Sequence, residues 1–173
     1  LIDRTVAGTC PQGSWSGDTW ITAAITAPCS VNFDFDAVVS ATAGEGGSVT
    51  PPSQRVSPGS SVSIEAVPDS GYVVNRTVGG TCPAGSWNGN VLNIGSVVAP
   101  CSVSFSFDPM VTATTNDGGS VTPSSLSVTR GSSAQFALVP NTGHAVNRSA
   151  GGSCPLGDWD GDLWTTGTIT TPC

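Results

Sequence analysis

The 173-residue chain contains no lysine, and only 10% of its residues are charged. Its basic groups are Arg4, Arg55, Arg76, Arg130 and Arg148, five against twelve acids, for a formal net charge of −7. Nucleic acids and anionic membrane surfaces are held by a basic face that neutralises phosphate, so neither is an expected partner. There is one histidine, His144. A nucleophile repeated along the chain needs a base in each copy, and one histidine cannot serve them all. No apolar run approaches the ~18 residues of a membrane-spanning helix. Nor does any segment carry a helical apolar period over about ten residues. Tyrosine and methionine occur once each, whereas glycine (22) and proline (13) are plentiful beside serine and threonine. That composition suits strands and turns.

Cys10, Cys82 and Cys154 stand 72 residues apart, as do Cys29, Cys101 and Cys173, and Trp15, Trp87 and Trp159. Residues 1–72 laid on 73–144 without a gap give 36 identities, and a third copy runs from Ala145 to Cys173. Phe33-Asp34-Phe35-Asp36 falls on Phe105-Ser106-Phe107-Asp108, and the pattern restarts after each. The frame therefore sets a complete repeat at 37–108. Residues 1–36 read as the C-terminal half of a preceding repeat, and 109–173 as a repeat lacking its last strand. Half a module cannot close a core, so the sequence is expected to be a piece of a longer array.

Apolar residues alternate with polar ones: Val62, Ile64 and Ala66 on one face of 61–67, and Val103, Phe105 and Phe107 on one face of 102–108. Val31, Phe33 and Phe35 repeat the second pattern. Gly44-Glu45-Gly46-Gly47, Ser57-Pro58-Gly59, Pro68-Asp69-Ser70-Gly71 and Asn88-Gly89 punctuate the runs. The expected fold is all-β: tandem small modules of 72 residues, each with six or seven short, mostly antiparallel strands.

The run Val49-Thr50-Pro51, Pro58-Gly59-Ser60-Ser61-Val62, Ala66-Val67-Pro68, Gly71-Tyr72-Val73, a tryptophan, then Cys101-Ser102-Val103-Ser104-Phe105 resembles the divergent internalin-type B repeat. Members of that family occur in tandem on bacterial surface and secreted proteins. The resemblance spans the whole chain. It implies a small β-grasp-like or sandwich module and an extracellular stalk or adhesive role, with no activity attached. The paired cysteines and the Gly/Ser/Asn-rich loop between them depart from the family's pattern.

Six cysteines permit fifteen pairings. Repeat symmetry selects Cys10–Cys29, Cys82–Cys101 and Cys154–Cys173, because every copy then closes its own loop in the same way. A loop of this length stabilises by about 3 kcal/mol in the chain-entropy model. Metal ligation is the rival. No Cys-x-x-Cys occurs, however, and His144 aligns with Tyr72, so no metal or cofactor is expected. Disulfides imply an oxidising compartment, hence a secreted or cell-surface protein.

Other motifs have a chemical and a plain reading. Asp158-Trp159-Asp160-Gly161-Asp162 looks like a calcium loop, but Ile169 stands where a bidentate acid belongs. The plain reading is a type I′ hairpin turn, which Asn-Gly and Asp-Gly favour. Gly13-Ser14-Trp15-Ser16-Gly17 imitates a nucleophile elbow with tryptophan at its centre. Asp34 and Asp36 share one strand face, without the cleft that glycoside hydrolysis needs. No enzyme is expected. Trp15, Trp87 and Trp159 are expected to lie over their disulfides within the core. Trp20 and Trp164, where the middle copy has Leu92, are the candidates for stacking on a sugar, against a half-buried strand position. Asn75-Arg76-Thr77 and Asn147-Arg148-Ser149 are glycosylation sequons.

The functional expectation is a structural, non-enzymatic segment of a bacterial surface stalk, fibre or adhesin shaft. Its partners would be neighbouring repeats or subunits of the same protein in an elongated assembly. The alternative is a carbohydrate-binding repeat array that takes surface glycans through weak sites multiplied by repetition. The missing Ser-Val-x-Phe-x-Phe strand of the last repeat is expected to follow in the chain. The other possibility is that a neighbouring subunit donates it.

Overall fold

The computed structural model describes residues 2–173; Leu1, which opens the expected half repeat 1–36, lies outside them. Every regular element described is a strand, and none is a helix. β1 (Ile2–Gly8), β2 (Ser14–Ser16), β3 (Thr19–Ile21) and β4 (Val31–Phe35) come first. Next are β5 (Ala37–Ala43), β6 (Gly47–Thr50), β7 (Ser53–Val56), β8 (Ser60–Pro68), β9 (Tyr72–Gly80), β10 (Gly85–Asn88), β11 (Val91–Val97) and β12 (Cys101–Thr112). The chain closes with β13 (Gly119–Thr122), β14 (Ser125–Ser127), β15 (Gln135–Pro140), β16 (Asp158–Asp160) and β17 (Leu163–Thr165).

Two compact units divide the chain: Leu1–Ala41 with Pro51–Ile64 and Gly80–Val103, and Thr42–Thr50 with Glu65–Gly79 and Ser104–Cys173. They do not follow the 72-residue frame, because 37–108 contributes to both.

In the first unit, β1 pairs with β4, β2 with β3, β5 with β7 and β10 with β11, all antiparallel. Val39, Val56, Val62, Ile64, Leu92, Ile94 and Val97 are buried. Alternation is the reason, since each strand turns every second side chain inward. Gly80, at φ 114°, lies so close to the Ser102 carbonyl that a Cβ there would come within 2.2 Å of the oxygen. The amides of Thr81 and Cys82 then share that carbonyl, at 2.8 and 3.1 Å. Gly8, Thr9 and Cys10 repeat the arrangement around Ser30.

In the second unit, β6 pairs with the Glu65–Pro68 end of β8. β13, β15, β17 and β16 form an antiparallel sheet in that order. Val111, Val128, Ala134, Phe136 and Ile169 make its buried cluster, with Trp164, Cys154 and Cys173 packed against it. Phe107 lies on Gly47, where a Cβ would come within 2.5 Å of the ring.

Three features go beyond what the sequence reading specified. β12 runs through 108/109 as one strand and buries Phe105, Phe107, Pro109 and Val111 on one face. One pairing is parallel: Cys173 N–H donates to the Met110 carbonyl and Thr112 N–H to that of Cys173. Gly44 N–H donates to the Phe105 carbonyl at the same offset of 61 residues, since 105 − 44 equals 173 − 112. Finally, the first copy leaves Val31, Phe33 and Phe35 exposed at 39%, 36% and 62%, whereas Val103, Phe105 and Phe107 are exposed at 2%, 3% and 1%.

Candidate functional site

Three hairpins carry the recurrent tryptophans, and cross-strand pairing fixes which ring faces which. Trp15 stands opposite Trp20, Trp87 opposite Leu92, and Trp159 opposite Trp164. Directly opposed side chains on a strand pair are near enough to pack. The Trp15 and Trp20 ring centroids are 5.4 Å apart, and those of Trp159 and Trp164 are 6.4 Å apart.

Gly17, Gly89 and Gly161 reverse these hairpins at φ 60°, 59° and 59°. The two-residue loops are Gly17-Asp18, Gly89-Asn90 and Gly161-Asp162, and among the described residues Ser96 alone is a non-glycine at positive φ. Positive φ at the first central position only is the type II′ pattern. The expected type I′ turns centred on Asn88-Gly89 and Asp160-Gly161 are therefore corrected by one residue. The physical reason is that glycine takes the one position that needs positive φ. The same geometry makes the Asp158–Asp162 run a hairpin. Among the described residues no group of three or more His, Cys, Asp or Glu is arranged to hold a metal ion.

The tryptophans expected over the disulfides are half-buried, so they are not core residues. Trp15 packs edge-on to Phe33 at 5.8 Å, donates its indole N–H to the Arg4 carbonyl at 3.2 Å, and lies under the Arg4 guanidinium at 5.7 Å. Trp20 is also half-buried, and its indole nitrogen is buried with no hydrogen-bond partner. Trp164 stacks on Phe136 at 6.2 Å with the rings inclined by 29°. Of the two candidates for sugar stacking, Trp164 thus has one ring face against Phe136.

Each copy holds one disulfide: Cys10–Cys29, Cys82–Cys101 and Cys154–Cys173. The sequons differ. Asn75 donates its amide to both Asp108 carboxylate oxygens at 3.2 and 3.1 Å, and its own oxygen accepts from Thr77 N–H. Asn147 is exposed.

Sequence reasoning missed a groove in the second unit. Two adjoining cavities of about 330 and 320 Å³ share Thr114, Thr115, Leu138, Asn147 and Ser149. Val121 and Phe136 lie in one part, and Gly118, Gly119 and His144 in the other. By the 72-residue shift, the groove occupies the place that Val103, Phe105 and Phe107 fill in 37–108. The signal was present in the repeat arithmetic, but only as a strand, not as a cavity.

Residues 37–99 match the family model of the divergent InlB B-repeat domain. That agrees with the resemblance read from the residues and bears on this stretch of the chain. No curated protein and no solved structure matches the chain.

Proposed function

We propose, taking the divergent InlB B-repeat match as the premise, that the chain is a structural, non-enzymatic segment of a bacterial surface stalk, fibre or adhesin shaft. Its unit is a 72-residue β-grasp-like module, complete at 37–108 and incomplete at 1–36 and 109–173. The observation that carries this reading is the reuse of one hydrogen-bond register in two copies: Gly44 with Phe105, and Thr112 with Cys173. A register kept across copies, each with its own disulfide, supports one module used in tandem. The disulfides support secretion or display at the cell surface. Negatively stained images of an oxidised array of several repeats test it. Rods lengthening in proportion to repeat number are the expected result, and flexible beads of no fixed spacing would overturn it.

A carbohydrate-binding array is the second reading, favoured by Trp159 and Trp164, which both line the groove. Loss of glycan-array signal on Trp164→Ala with the fold intact would select it over the shaft.

A further inference from the structure

We infer that the loop end of repeat 37–108, formed by 44–46 and 68–71, is a docking surface. Its partner is the opposite end of the repeat that follows, 129–131 with Pro172, and their contact fixes the joint between the two repeats. The inference rests on the tandem-module reading above and names the partner of one end of the module.

Both ends are tied into shape by their own backbone. Asp69 N–H donates to the Gly46 carbonyl at 2.8 Å, and Tyr72 N–H to that of Asp69 at 3.0 Å. The next copy repeats both bonds, from Asn141 to Gly118 and from His144 to Asn141, each at 2.9 Å. At the opposite end, Ser132 N–H donates to the Thr129 carbonyl and Gly131 N–H to that of Ile169. Ser60 and Gly59 do the same to Ser57 and Val97. Surfaces already ordered lose little conformational freedom when they meet.

Three contacts join the ends. Arg130 forms an ion pair with Glu45. Pro172 lies on Gly71, where a Cβ would come within 2.9 Å of its ring atoms. Met110 closes the seam: its N–H donates to the Gly71 carbonyl at 2.8 Å, and its carbonyl accepts from Cys173 N–H at 3.2 Å. The N–H and C=O of one strand residue point to the same side. Gly71, at the head of β9, and Cys173 therefore follow one another along a single edge of β12, with no slack between them. Thr42–Thr50, Glu65–Gly79 and Ser104–Cys173 accordingly form one compact unit.

Charge discriminates between partners. Asp117 and Gly143 stand where Glu45 and Gly71 do, so repeat 109–173 presents the same acid and the same glycine. Pro100 matches Pro172, but Pro58 matches Arg130. A repeat of the 109–173 kind answers the acid, and one of the 37–108 kind does not. Arg130 is thus the residue by which otherwise similar modules are told apart at a joint.

Amide exchange of the oxidised 173-residue protein, read residue by residue by NMR, tests this. The Met110 and Cys173 amides should exchange slowly in the wild type. Gly71→Ala should speed them roughly tenfold, the size of an overpacking penalty. Gly143→Ala is the control: φ is 81° against 82°, but a Cβ at Gly143 meets no described residue within 4 Å. It should leave both amides unchanged. Glu45 is exposed, so Glu45→Arg keeps the fold and sets two cations together. It should speed both amides about two- to fivefold, and E45R/R130E should restore them. Fast exchange in the wild type, or equal effects of the two glycine variants, would overturn the proposal. So would a charge swap that restores nothing. Rods formed by linked repeats despite such results would remove the docking surface and leave the shaft reading standing.

Discussion

At the scale of single residues, the repeat supplies its own controls. Phe35 and Phe107 are the same residue in two copies, one exposed and one fully buried. Truncating a buried phenylalanine removes its transfer free energy and leaves a cavity. Phe107→Ala is therefore expected to cost about 3–5 kcal/mol. Phe35→Ala should cost less than about 1 kcal/mol in the isolated chain, in line with a surface substitution. Urea denaturation of the two variants compares them directly. Gly47→Ala belongs with them: its new methyl would strike the Phe107 ring, and overpacking of this kind costs about 1–3 kcal/mol. Trp87 is half-buried, so its removal should cost less than the ~3–5 kcal/mol of a core aromatic. The periodicity identified Phe107 as inward-facing. It said the same of Phe35, because alternation reports which face a side chain takes and not whether anything covers that face.

Among the elements, hairpins and alternating strands were legible, and three things were not. Turn type hinged on a single residue of frame. Asn88-Gly89 and Gly89-Asn90 both fit the sequence, and only the pairing of Asn88 with Val91 chooses between them. Substituting the turn tests the choice. Gly89→Ala puts a Cβ at positive φ and should cost about 1–2 kcal/mol, whereas Asn90→Ala should cost less than about 0.5 kcal/mol. Similar losses at both positions in a thermal melt would restore the type I′ reading. The parallel neighbour was also hidden, since alternation is the same in parallel and antiparallel strands. The fate of β9 was the third. Tyr72–Gly80 and 144–152 are close in sequence, yet only the first pairs as a strand, because β12 lies beside it. Strand formation there is decided by a partner and not by local propensity.

For the molecule as a whole, the repeat arithmetic located all three disulfides, because symmetry removes the ambiguity that six cysteines otherwise leave. Each closes a separation of 19 residues. Replacing Cys82 and Cys101 together by serine should lower stability by about 3 kcal/mol. Chemical denaturation of oxidised wild type against the double variant checks this, and a difference below about 1 kcal/mol would mean that packing alone holds the loop. The cavity beside 113–116 was not legible, since a void is a property of what surrounds it. So was the division into compact units, which draws on 37–108 twice. Contact boundaries follow where strands pair, and paired strands here come from distant parts of one repeat.

The parallel pairing of Met110 and Thr112 with Cys173, whose offset recurs between Gly44 and Phe105, has a mechanical consequence. A repeat enters through one of these strands and leaves through the other, and both point the same way. Tension applied at the two ends of a repeat therefore slides the strands past each other instead of peeling them apart. Under sliding, the hydrogen bonds of the pair share the load and break together, whereas under peeling they break one at a time. A covalent bridge stands at the start of the second strand, at Cys101 and again at Cys173. It takes the preceding loop out of the extensible length. Pulled from its ends, such a repeat resists abruptly and yields late.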